Sequence, residues 1–125
     1  VSVAKYIDMK YPDILWTASC GGMRTGSIVT AVNMKRAGYK KGCPDILIFE
    51  PRGAYHGLLI ELKKSPADGK AYATPEQEDF NKMANERKYC AAICYGSESA
   101  CSLIDGCLRL WKRLAVRGVA GSEQK

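Results

Sequence analysis

Asp45, Glu61 and Lys63 draw the eye because each lodges a charge in an otherwise apolar run. Asp45 follows Pro44 and opens the run to Phe49, while Glu61 and Lys63 close the run that starts at Gly57. Taking such groups out of water costs several kcal/mol unless they pair or bind a metal. Strand side chains alternate, so Leu59, Glu61 and Lys63 share one face and Leu58, Ile60 and Leu62 the other. Glu61 and Lys63 then lie about 7 Å apart along the strand. If the run from Asp45 pairs beside this one, Asp45 comes close to Glu61. Two carboxylates at ~4 Å repel by about 4 kcal/mol at an effective dielectric of 20. A lysine relieves part of that and a divalent cation relieves more, with oxygen ligands favouring Mg²⁺ or Mn²⁺ over zinc. The plain alternative is a lysine–glutamate pair at a strand end, with Asp45 an ordinary residue after proline.

The elements that must position these side chains are legible from periodicity. Val3, Ala4, Ile7 and Tyr11 give Ser2–Tyr11 a helical stripe that stops before Pro12. A short strand over Ile14–Ala18 leads into the glycine-rich loop "SCGGMRTGS", and a helix over Ser27–Ala37 stops at Gly38. Strands follow at Asp45–Phe49 and Gly57–Leu62, then a polar loop from Lys64 to Ala73. Thr74, Pro75 and Gln77 read as N-cap, first and third residues of a helix, a capping-box pattern. Phe80, Met83 and Ala84 form the buried stripe of that helix. A strand over Tyr89–Cys94 ends at "YGS", where Ser97 caps the last helix. Ala100, Leu103, Ile104, Cys107, Leu108, Trp111 and Leu114 make its apolar stripe. The order α-β-α-β-β-α-β-α implies a mixed sheet with helices on both faces, an α/β/α sandwich.

With 125 residues the chain suits one domain, residues 1–125. No apolar stretch reaches a membrane span, and the N-terminus has no secretory-signal pattern, so no membrane partner is expected. Six cysteines include no C-x-x-C pair, and His56 is the sole histidine. That composition argues against zinc, a disulfide framework, redox catalysis and a Cys–His nucleophile, and for a reduced, intracellular setting. The net charge of +6 admits a polyanion partner. Basic residues cluster at Lys35, Arg36, Lys40, Lys41, at Lys63, Lys64, Lys70, and at Arg109, Lys112, Arg113, Arg117.

The ordered set "GCPDILIF…HGLLIELKK…TPEQEDF…YCAAICYG" resembles the virus-type replication-repair nuclease (VRR-NUC) domain, of the PD-(D/E)xK superfamily. The resemblance runs along nearly the whole chain and is strongest from Pro44 to Phe80. It implies a restriction-endonuclease-like core. It also implies metal binding by Asp45, Glu61 and the backbone carbonyl of Leu62, with Mg²⁺ or Mn²⁺ as cofactor. Lys63 matches the motif lysine that orients water or stabilises charge on the phosphate, and Gln77 matches the glutamine of the following helix. Members usually carry a further acid on the first helix; Asp8 and Asp13 do not match it.

The activity so implied is metal-dependent hydrolysis of DNA phosphodiesters, leaving a 5′-phosphate. Contacts through Arg24, Lys35, Lys40, Lys41, Lys64 and Lys70 would be mainly to phosphates, which favours branched shape over base sequence. Stand-alone members resemble small viral or phage enzymes, some acting as homodimers on four-way junctions. Candidates for such an interface are the apolar residues of the first helix and the glycine-rich loop. The competing expectation is a nucleic-acid-binding module that has lost catalysis.

Overall fold

The computed structural model describes residues 2–19 and 28–122, with side chains over 2–19 and 29–109. Four helices and four strands follow the expected order: α1 (Val3–Lys10), β1 (Trp16–Ala18), α2 (Ile28–Arg36), β2 (Ile46–Ile48), β3 (Leu58–Lys63), α3 (Pro75–Glu86), β4 (Cys90–Tyr95) and α4 (Ser97–Ser122). A single 3-10 turn, Pro66–Asp68, interrupts the polar loop after β3 and was not foreseen. No helix of the described residues is long and apolar enough to cross a membrane.

The strands form one mixed sheet in the order β1-β2-β3-β4. β1 and β2 pair antiparallel, as do β2 and β3, whereas β3 and β4 run parallel across the α3 connection. Alternation of side chains assigns the two faces. Ile46, Ile48, Leu58, Ile60 and Cys94 turn into a core completed by Val3 and Ile7 of α1 and by Ala100, Ile104 and Leu108 of α4. Ile7, Ile48, Ile60 and Ile104 are fully buried. The opposite face carries Leu47, Leu59 and Glu61 and is covered in part by α3, which packs mainly on β4.

α1 is held to α4 by a charged hub as well as by apolar contact. Asp105 accepts hydrogen bonds from the hydroxyls of Tyr6 and Tyr11, each at 2.5 Å, and lies 3.1 Å from Lys10 Nζ. Burial pushes the Asp105 carboxyl up, but the bonds from Tyr11, Tyr6 and Lys10 outweigh it and hold it down at about 2. Val3 and Ile7 are spent in the same contact. These two are therefore not available as an interface with a second copy, which corrects that expectation for them, whereas Met9 of the same helix is 80% exposed; the glycine-rich loop lies outside the described residues.

Several element edges differ from expectation for identifiable reasons. β1 begins only at Trp16, because Leu15 N–H turns to the Glu50 carboxylate at 2.9 Å. β4 extends one residue further, to Tyr95, because the parallel ladder with β3 continues to Lys63. Met83 is 53% exposed: α3 presents Ala84, at 7%, to the sheet and leaves the methionine at its margin. Thr74 and Gln77 do form the reciprocal capping box, at 2.9 and 3.1 Å.

The start of α3 lies against the turn that precedes Asp45. Gly42 has φ +93°, and a Cβ there would stand 2.3 Å from the carbonyl oxygen of Glu76. Only glycine permits this approach. Gly38 has a similar φ of +106° but open space around it. Gly42→Ala is accordingly expected to cost ~2–3 kcal/mol more than Gly38→Ala, the excess being steric and not conformational. Urea unfolding of the two variants checks this. In the same assay Asp105→Asn is expected to cost ~2–3 kcal/mol by weakening three charge-assisted bonds. Because the Asp105 carboxyl is depressed, its stabilisation is present above its ordinary value of 3.8 and is lost as pH falls through about 2.

Candidate metal centre and nucleic-acid interface

β2 and β3 pair as Ile46↔Ile60, Leu47↔Leu59 and Ile48↔Leu58. Asp45 is the residue just before Ile46, so the same register continues to Asp45 opposite Glu61. The structure places the two carboxylates side by side at the open end of the β2/β3 pair. Asp45 Oδ2 accepts the backbone N–H of Leu62 at 2.8 Å, which anchors its carboxylate beyond the last β2 rung. Within one strand residue the N–H and C=O point to the same edge. The Leu62 carbonyl therefore also faces the Asp45 side, while Glu61 and Lys63 direct their backbones to β4.

Glu61 is 5% exposed, and its Oε1 is buried with no hydrogen-bond partner among the described residues. Burial pushes its carboxyl up to about 7, helped by the hydrogen bond and the negative charge of Asp45 and opposed by Lys63. Glu61 thus keeps its proton up to about pH 7 when nothing else neutralises the pair. A buried carboxylate oxygen left without a donor is costly and calls for an occupant. Two carboxylates and a strand carbonyl form an all-oxygen donor set of the kind that holds Mg²⁺ or Mn²⁺ together with waters and phosphate oxygens. Among the described residues no group of three His, Cys, Asp or Glu side chains converges, so the acidic part of the centre is this pair alone. Asp8, on α1, is engaged elsewhere, accepting from Trp16 Nε1 at 2.9 Å.

Lys63 closes β3 on the same face as Glu61, half-buried. Gln77 sits in the first turn of α3, half-buried, beside Gly42. Its Oε1 is committed to the Thr74 N–H, so only its amide nitrogen is left to face other groups. Lys35, Lys40, Lys41, Lys64 and Lys70 are all exposed. Lys40 and Lys41 border a cavity of about 690 Å³ between the sheet and α3, walled by Leu47, Leu59, Phe80 and Tyr89. Lys64 folds back over Gly69. Arg24 lies outside the described residues, as do the side chains of Lys112, Arg113 and Arg117. Sequence reading stopped the last strand at Cys94 and so overlooked Tyr95, which the register sets directly beside Lys63. An aromatic residue at the end of an apolar run was the available signal; which strand it would neighbour was not.

No protein-family model matches the sequence, and no curated protein matches it. A solved structure described as a VRR_NUC domain protein is similar, with a TM-score of 0.59 and 42% sequence identity, over 65% of this chain and 64% of that one. The likeness thus spans a little under two thirds of either protein. It joins the same mixed sheet and helices to a level of identity well beyond a shared fold alone. Sequence identity and fold together support a VRR-NUC domain in this chain.

Proposed function

We propose that this chain is a divalent-metal-dependent endonuclease that cuts branched DNA, four-way junctions included, as a homodimer inside the cell. One observation carries the reading: register sets Asp45 against Glu61, and Glu61 keeps a buried oxygen without a partner. A structural ion pair would leave neither feature, since its purpose is to satisfy both charges. Bound Mg²⁺ or Mn²⁺ supplies a Lewis acid and a water of lowered pKa. Asp45, Glu61 and the Leu62 carbonyl hold it, and Lys63 orients the attacking water and counters charge on the phosphate. Gln77, whose Oε1 is held by the Thr74 N–H, offers its amide nitrogen to the substrate. The exposed lysines at 35, 40, 41, 64 and 70 and Arg24 bind neighbouring phosphates, so affinity falls steeply with salt. A junction offers two equivalent strands to cut, which suits a two-fold dimer.

Cleavage of labelled single strand, duplex, flap and four-way junction with Mg²⁺ or Mn²⁺ tests this directly. Paired, symmetric nicks on the junction are expected, with Lys63→Ala slowing them about 10²–10³-fold. Tight binding with no cut by the wild-type chain would replace the enzyme with a DNA-binding module, a reading favoured by there being only two converging acids among the described residues.

Glu61 makes a second, independent prediction. A carboxyl raised from its ordinary 4.5 to about 7 binds its proton more tightly in the folded chain. In metal-free buffer, stability is therefore greatest below pH 4.5 as far as this group is concerned, and falls as pH rises through about 7. Added Mn²⁺ restores stability above that point, because the ion replaces the Glu61 proton. Urea midpoints at pH 5 and pH 8, with EDTA and with Mn²⁺, measure both effects. Glu61→Gln is expected to remove both; a wild-type midpoint indifferent to Mn²⁺ at pH 8 would exclude a metal at this pair.

A further inference from the structure

Tyr95 ends β4 directly beside Lys63 in the parallel register, as Ile93 stands beside Glu61. Paired residues on neighbouring strands, about 4.8 Å apart, turn their side chains to the same face. Cys94 points into the core, so Tyr95 shares the face of Glu61 and Lys63. Its side chain is 39% exposed. Its hydroxyl makes no hydrogen bond to another described residue, which leaves it open to an acceptor from outside the chain.

The position is held firmly. Gly96 donates its N–H to the Lys63 carbonyl at 2.8 Å and has φ +97°, with room for a Cβ only 3.3 Å from Ser65. The ends of β3 and β4 are therefore locked together where the chain enters α4. Lysine and tyrosine side chains are of similar length, so their tips reach a similar height above the sheet. An ammonium and an unpartnered phenol side by side, at the carboxyl ends of two parallel strands, form a pair of donors for one anionic group.

We propose that the Tyr95 hydroxyl donates a hydrogen bond to a non-bridging oxygen of the same DNA phosphate that Lys63 engages. The location of that phosphate rests on the nuclease reading given above. Tyr95 thereby fixes the phosphate's orientation against the Asp45–Glu61 pair, while Lys63 supplies charge.

The test separates the hydroxyl from the ring and this contact from the activity. Binding of a four-way junction is measured in a Glu61→Gln background, which cannot cut. Junctions with one uncharged methylphosphonate, walked along the strands through the branch point, are compared with the unmodified junction. Tyr95→Phe is expected to weaken binding of the unmodified junction about fivefold, and Tyr95→Ala no further. At one methylphosphonate position the Tyr95→Phe loss shrinks to less than twofold, the coupling signature of a direct contact. A loss equal at every position, or Tyr95→Phe binding like the parent while Tyr95→Ala is weakened, would overturn the proposal, the latter in favour of base stacking or packing. Cleavage by the chain with native Glu61 is scored separately. Coupling without cutting sinks the nuclease reading alone, cutting without coupling sinks the Tyr95 contact alone, and no junction binding sinks both.

Discussion

A carboxylate buried beside a second carboxylate is unstable by itself, and the architecture around Glu61 is arranged to produce that situation. Antiparallel pairing of β2 with β3 carries Asp45 to the rung opposite Glu61. The Leu62 N–H then fastens Asp45 in place. Burial on the α3 side removes the water that would otherwise screen the pair. A proton relieves the repulsion in part and leaves Oε1 of Glu61 unserved. A divalent cation would serve both groups at once, and the site's instability would then add to its affinity for that ion.

The rest of the molecule keeps that rung in register. The apolar face of the sheet is closed by α1 and α4, and Asp105 ties those helices together through Tyr6, Tyr11 and Lys10. A strand that slipped by one residue would turn Ile46, Ile48, Leu58 and Ile60 out of the core, so hydrophobic burial fixes the pairing that Asp45 and Glu61 depend on. The other face is less completely covered. α3 lies along β4, and a cavity of about 690 Å³ remains between it and the sheet, walled by Leu47, Leu59 and Phe80 and not by the acidic pair. The closed face thus provides the rigidity that keeps the pair in register. A binding site placed on strands backed by a full core holds its groups more precisely than one built on loops.

Much of this was legible in the sequence, because the signals are local. The capping box at Thr74–Gln77, the stop at Gly38 and the apolar stripe of α4 each arise within a few residues. Period-two alternation put Glu61 and Lys63 on one face of their strand. The misses arose wherever distant residues decide. Met83 fits the helical stripe of α3 but lies at its margin, since the stripe's direction is set by how the helix sits on β4. β1 lost its first residues to a side chain thirty-five positions away. Val3 and Ile7 looked free for a partner until α4 covered them.

By itself, then, the sequence determined the element order, the caps and the chemistry available: two acids and a lysine at the edges of apolar runs, in the order of a VRR-NUC domain. Those properties follow from backbone sterics and side-chain alternation, which act over short separations. Only the tertiary structure decided that Asp45 meets Glu61 across a rung, that one Glu61 oxygen stays buried without a donor, and that Tyr95 stands beside Lys63. Each of these joins residues far apart in the chain, and burial of the common core, not any local preference, selects the pairing.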